Sequence, residues 1–320
     1  MKRLKVLSLL TIYVVIITFT GCGQKEETLK VPIEVAALNG PTGMGMAKMM
    51  KDNSEDYHIS MYQSPDDIVG KMVSGDIQIA CVPSNLAAVL YKKTEKNIYL
   101  LGTNTLGTLY IVENGSMVTN MADLKGKAIV ASGKGSTPEY VLENLLLGAG
   151  IDPEKDVTIK YLANHTDVVT EVVANEGTIA LLPQPHVMIA VTKNEKVHIA
   201  LDLNEAWEEQ ENTVLPMGVI IANKTFVDEH EKAVASFLES YASSVAYVNE
   251  HMEDAAAIIA EQGILGSAQI AKAAIPYCHI VYKSATDSKA DIEAFYNILE
   301  KVNPKAIGGE LPDEAFYYSK

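Results

Sequence analysis

A chain of 320 residues has room for two domains of ordinary size, and 48% hydrophobic with 21% charged residues suits a globular protein rather than a disordered or fibrous one. The formal net charge of −15 falls to −18 once residues 1–21, with three basic and no acidic groups, are removed; this repels nucleic acid and anionic lipid faces. It does not constrain a small ligand, because a pocket can carry its own local field.

Lys2, Arg3 and Lys5 form a positive segment, Val6 to Thr20 is apolar apart from uncharged hydroxyl residues, and Phe19-Thr20-Gly21-Cys22 sets small residues before a cysteine. Positive, apolar, then small is the order of a secretory signal peptide. The ending resembles a lipobox, although Phe19 stands where leucine is usual, and the resemblance implies lipidation of Cys22. The alternative is an uncleaved transmembrane anchor, since the apolar run is about long enough to span. The small-residue ending and the polar tether Gly23-Gln24-Lys25-Glu26-Glu27-Thr28 favour the lipoprotein. Expected boundaries are a leader at 1–21 and a tether at 22–30.

Ile33 to Leu38 reads as a strand, broken by Gly40-Pro41-Thr42-Gly43 before a helix from Met44 to Met50. His58 to Tyr62 is a second strand. Ser64-Pro65-Asp66-Asp67 opens a helix, with a capping serine, a proline at the first position and acids at the positive dipole end. Ser74-Gly75-Asp76 ends it. Ile77 to Val82 is a third strand, Pro83-Ser84-Asn85 opens a helix through Leu90, and Ile98 to Thr103 is strand again. This β–α alternation predicts a mainly parallel sheet with helices on both faces.

A second cycle follows Asn114-Gly115. Ala128 to Ala131 leads through Ser132-Gly133-Lys134-Gly135-Ser136-Thr137-Pro138 into a helix from Glu139 to Leu147. Val157 to Leu162, Thr178 to Leu182, Val197 to Leu201 and Val214 to Ala222 are further strands. Beyond Phe226 the chain is mostly helical, with Val234, Phe237, Leu238, Tyr241, Val245 and Val248 at helical spacing. No repeated motif stands out. The late helices have too few strands for a sheet of their own and must pack on one already built. The pattern therefore predicts two α/β lobes with two chain crossings, at Thr108 to Val112 and Pro216 to Ile221. The first lobe takes residues 31–110 and 220–320, the second 111–219, and the cleft between them is a natural small-molecule site.

Asp123-Leu124-Lys125-Gly126-Lys127, the Ser132 to Thr137 loop, Leu182-Pro183-Gln184-Pro185-His186, and Asn303-Pro304-Lys305 with Gly308-Gly309 occur in order after the Gly40 to Gly45 loop. Together they resemble the substrate-binding proteins of the nitrate, sulfonate and taurine ABC importers, with the thiamine-pyrimidine binders sharing the general design. The resemblance runs from about Val31 to the C-terminus. It implies a two-lobe, type II periplasmic-binding-protein-like fold with two crossing strands, an extracytoplasmic location, a small-molecule ligand and an ABC-importer permease as partner. The specific ligand does not carry over.

Strand ends that run into helix starts offer backbone N–H groups to polar ligands. Gly40, Thr42 and Gly43 belong to such a loop in the first lobe; Ser132, Gly135, Ser136 and Thr137 belong to one in the second. Glycine lets a ligand approach the backbone and the hydroxyls add donors and acceptors; ordinary turn and capping chemistry is the plainer reading. Ser84, Asn85, Gln184 and His186 hold similar positions. Lys134 suits a solvated loop, and Trp207 suits packing under a loop better than covering a ligand. Cys81 and Cys278, in apolar runs, read as buried hydrophobes rather than a disulfide.

The chain has no P-loop, no Gly-x-Ser-x-Gly elbow and no compact metal motif among its seven histidines. No cofactor or catalytic set is expected. A solute receptor is thus favoured over the alternative, an extracytoplasmic enzyme of the same fold acting on a small cyclic metabolite.

Overall fold

The computed structural model describes residues 32–53, 55–115 and 117–319. The leader and the whole tether, Cys22 included, lie outside the described residues. The strands are β1 (Ile33–Leu38), β2 (Tyr57–Tyr62), β3 (Ile79–Pro83), β4 (Ile98–Thr105), β5 (Leu109–Asn114), β6 (Ala128–Ala131), β7 (Thr158–Tyr161), β8 (Ile179–Pro183), β9 (Val197–Asp202), β10 (Gly218–Asn223) and β11 (Ile280–Ser284). The helices are α1 (Pro41–Met44), α2 (Ala47–Asp52), α3 (Pro65–Ser74), α4 (Ser84–Lys93), α5 (Thr137–Gly148), α6 (His165–Ala174), α7 (His186–Lys193), α8 (Leu203–Glu211), α9 (Lys224–Glu229), α10 (Glu231–Glu250), α11 (Met252–Glu261), α12 (Ala268–Ala274) and α13 (Ala285–Val302).

Local chemistry accounts for many of these ends. Ser64 caps α3 by accepting the Asp66 N–H at 3.2 Å, with Pro65 at the first helical position. On α10, Val234, Phe237, Tyr241, Val245 and Val248 are buried while Leu238 at the stripe's edge is only partly covered. Each buried aliphatic or aromatic side chain of this kind contributes about 1.5–3 kcal/mol. The Gly40–Gly43 stretch, expected as a break, is itself a helical turn, because Pro41 at its first position sets the backbone for one.

Two sheets form two lobes. One has six strands in the order β11-β4-β10-β3-β1-β2, the other five in the order β7-β6-β8-β5-β9. The sheets are mixed, which corrects the mainly parallel expectation. β1 runs parallel to β2 and β3, and β6 to β7 and β8, but β10 is antiparallel to both β3 and β4, and β5 to both β8 and β9. The cause is the route of the chain: β5 and β10 each arrive from the other lobe and enter the sheet from the opposite end. β11, not foreseen, adds an antiparallel edge to β4.

The chain passes between the sheets at 106–108 and again at 212–217, just ahead of the two expected crossing segments, which are largely the strands β5 and β10 themselves. The paired register of β10 with β3 and β4 begins at Gly218. The two crossings are tied together: the Met217 N–H donates to the Thr105 carbonyl at 2.9 Å. Trp207 of α8 is fully buried and packs edge-on against Phe295 of α13, with ring centroids 5.8 Å apart, so hydrophobic packing is continuous from one lobe to the other. Cys81 and Cys278 are buried free thiols, and burial pushes Cys81 up to about 12. Among the described residues no helix is long and apolar enough to cross a membrane.

Candidate functional site

The β1–α1 corner of one lobe meets the β8–α7 corner of the other. Gly40 is buried with φ of 115°, a conformation that disfavours any side chain, and a Cβ placed on it would lie 3.8 Å from Cδ of Pro185. The residues flanking this contact carry buried polar atoms without a hydrogen-bond partner in the protein. They are Oδ1 of Asn39, both Oε1 and Nε2 of Gln184, and Nδ1 of His186. Gln184 is only 2% exposed, and a cis peptide joins it to Pro185. Buried polar groups are nearly always paired, so a cluster of exceptions at one seam needs a reason.

The wall continues at the crossings. A Cβ on Gly218 would lie 2.5 Å from Oδ1 of Asn104, 2.9 Å from Cγ2 of Thr42 and 3.1 Å from Cβ of Thr105, so only glycine lets these three side chains converge. The Thr105 hydroxyl is buried and unpartnered. Asn104 lies near the Cys81 thiol and the Tyr241 hydroxyl, outside good hydrogen-bond geometry with either. The Thr42 hydroxyl donates to the Leu38 carbonyl at 3.1 Å, and this holds its methyl toward Gly218.

In the second lobe Ser132 is buried, its Oγ 2.5 Å from Nδ1 of His165, whose ring lies 5.0 Å from that of His186. Burial lowers the pKa of His165, and burial followed by the neighbouring His165 ring brings His186 down to about 4. Both imidazoles are therefore neutral at neutral pH, each with one donor and one acceptor nitrogen. His165 escaped the sequence reading. It follows the capping residue Asn164 at the start of α6, after β7, so the strand-end rule applied to the other loops would have found it.

The remaining expected contacts have internal work. Ser84 donates to the Pro216 carbonyl at 2.6 Å, and its own carbonyl accepts from the Tyr296 hydroxyl at 2.6 Å. Asn85 and Thr137 bond to each other across the lobes, Thr137 Oγ1 donating to Asn85 Oδ1 at 3.0 Å. A Cβ on Gly43 would lie 2.7 Å from the Leu38 carbonyl oxygen, so that glycine permits close packing. Ser136 donates to the Gly133 carbonyl at 2.5 Å, and the exposed Gly135 gives its N–H to the Glu139 carboxylate at 2.5 Å. Lys134 is exposed, its Nζ 5.6 Å from the centre of the Tyr161 ring. Among the described residues no three His, Cys, Asp or Glu side chains are grouped to hold a metal ion.

A family model described as ABC transporter, phosphonate, periplasmic substrate-binding protein matches residues 46–273. The binding protein YtlA of Bacillus subtilis is 21% identical over 238 residues, covering 72% of this chain and 70% of its own length. An ABC transporter crystal structure from Parabacteroides distasonis superposes with a TM-score of 0.79 at 25% identity, covering 91% of this chain and 99% of that one. The periplasmic aliphatic sulphonate binding protein SsuA of Escherichia coli gives 0.69 at 16% identity, covering 90% and 92%. The last likeness is one of fold.

Proposed function

The chain belongs to the ABC-transporter phosphonate periplasmic substrate-binding family, and from that premise we propose that it captures a small molecule of the nitrate, sulfonate, taurine or pyrimidine-like kind between its lobes and hands it to an importer permease. The lobes take residues 31–110 with 220–320, and 111–219. The observation that carries this reading is the gathering of unpartnered buried polar atoms on Asn39, Gln184 and His186 where Gly40 meets Pro185. Gly40, Thr42, Ser132, Gln184 and His186 supply the contact surface, while the Asn85–Thr137 bond clasps the lobes shut around the cargo. A ligand touching both lobes favours the closed form over the open one by its differential affinity for the two.

Calorimetry with compounds of these classes, paired with small-angle scattering, tests the reading. Binding should compact the protein, and Gln184→Ala should weaken it. Failure of the protein to compact on binding would remove the cleft mechanism. Cys22 anchors the receptor to the outer face of the cell membrane through lipid; metabolic fatty-acid labelling should be abolished in Cys22→Ala, and undiminished labelling would refute the anchor.

A further inference from the structure

Each crossing changes allegiance within a residue or two. On the first, the Leu106 N–H donates to the His279 carbonyl at 3.1 Å, which ties it to the first lobe, while the Thr108 carbonyl accepts the Gln184 N–H at 2.9 Å, which ties it to the second. Gly107 lies between them. On the second, the Asn212 N–H still donates to the Glu208 carbonyl of α8 at 3.0 Å, and the Thr213 hydroxyl already donates to Asp291 of α13 at 3.1 Å. When two rigid bodies turn about their connections, a few such residues absorb the change in backbone angles.

The first of these switch points is gripped from both lobes. Gly107 is buried, and its carbonyl oxygen accepts from Nδ1 of His279 in the first lobe. A carbonyl has no hydrogen to give, so that ring nitrogen carries one. From the second lobe, Asn204 of α8 presses on the same residue: a Cβ on Gly107 would lie 2.2 Å from Oδ1 and 2.5 Å from Cβ of Asn204. His279 is itself held at a φ of 43°. Among the described residues four that are not glycine have such a left-handed backbone; Glu95 and Lys96 belong to an exposed turn, and the other two, Asn212 and His279, stand at the two crossings. Strained backbone persists where its surroundings over-determine it, and it gathers where a chain has a mechanical or chemical task.

We propose that His279 and Asn204 are positioning residues for ligand capture, gripping Gly107 from opposite lobes and so fixing the angle at which the lobes close. The apparent affinity of a receptor falls with the fraction of molecules in the binding-competent form, so a grip that holds this form strengthens capture without touching the cargo. The inference rests on the two-lobe receptor reading and deepens it, but its test needs no cargo, so its failure leaves that reading standing.

Double electron–electron resonance on the full chain in detergent reads the angle. Nitroxides are attached at Leu147→Cys of α5, paired in turn with Val73→Cys of α3 and Met252→Cys of α11; all three positions are exposed, and Cys81 and Cys278 are buried. α3 and α11 pack on opposite faces of the first sheet, so a rotation that one pair misses is seen by the other. Gly107→Ala drives a wedge against Asn204 and should shift the distances of at least one pair; adding Asn204→Gly, which removes the opposing atoms, should restore them. His279→Asp tolerates a left-handed backbone, but its carboxylate cannot donate, and it should broaden the distributions. A merely structural contact would lower the unfolding temperature and leave the distances as they are. Wild-type distributions in both Gly107→Ala and His279→Asp overturn the grip, as does a shift in Gly107→Ala that Asn204→Gly fails to reverse. Should Gly107→Ala fail to fold, His279→Asp alone decides.

Discussion

The β3–α4 and β8–α7 corners are built on one plan and put to different uses. Their strands read Ile79-Ala80-Cys81-Val82-Pro83 and Ile179-Ala180-Leu181-Leu182-Pro183. Ile79 pairs with Val35 of β1 as Ile179 pairs with Ile129 of β6, while Pro83 and Pro183 face Gly218 and Leu109, the first residues of the reversed strands. The next backbone N–H is even spent the same way: Ser84 donates to Met217 O at 3.1 Å and Gln184 to Thr108 O at 2.9 Å, each on a crossing segment. Only the side chains diverge. The Ser84 hydroxyl is satisfied by the protein, whereas the Gln184 amide is not. One corner is locked as a structural joint; the other keeps its hydrogen-bonding capacity unused. A shared backbone position thus says where a site can be, and the balance of donors and acceptors makes the β8–α7 copy the candidate.

The contrast makes the two corners answer oppositely to the same kind of substitution. Ser84→Val strands the buried Pro216 carbonyl and should destabilise the protein by about 2–3 kcal/mol in denaturant titration, at the upper end for a lost buried partner. Gln184→Leu, at the matching position, should stabilise. Equal signs for the two would break the comparison.

A smaller effect separates the corners by pH. The folded pKa of His186, about 4, lies below its unfolded value of about 6.5, so the unfolded chain binds more protons between them. Stability from this group is fully present above the unfolded value and is lost as pH falls toward 4; at pH 4.5 the loss should be about 2 kcal/mol. Leu86 holds the matching place at the closed corner and has no such dependence. Denaturant midpoints at pH 7 and 4.5 should differ less in His186→Gln than in wild type; an equal difference removes the assignment.

The smallest expected change is in the clasp. Thr137→Val removes the hydroxyl that bridges to Asn85 and should weaken ligand binding by about 1 kcal/mol, with little change in unfolding. Scattering of the ligand-free variant should show a more open average; unchanged compactness together with unchanged affinity would show that the clasp does nothing.

Much of this design is local and therefore readable from the chain. Ser64-Pro65 announces α3 because a cap and a fixed φ act within one turn, and the α10 stripe is legible because burial follows the helical period. Gln184 and His186 could be nominated because a strand end followed by a helix start is a local pattern. The rest depends on partners far away in the sequence. Ser84 bonds to Pro216 and Asn85 to Thr137, and no spacing rule links residues so distant. The reversed entry of β5 and β10 is likewise invisible to periodicity, which reports the face a strand buries and not its direction. The Ile-Ala-x-x-Pro correspondence went unnoticed because three shared letters become informative only once the registers agree.

The insertion of β10 between β3 and β4 has a consequence for how the molecule is born. The second sheet draws all its strands from one continuous stretch, Leu109 to Asp202, and has them together as soon as that stretch is available. The first sheet has β1 to β4 much earlier, yet the facing edges of β3 and β4 cannot be joined until Gly218–Asn223 arrives between them. Such late, long-range pairing is slow, and unpaired edges are sticky while they wait. In a chain emerging from its N-terminus, the lobe begun second is therefore the one able to finish first, and the earlier lobe stays split down its middle until the chain has crossed back.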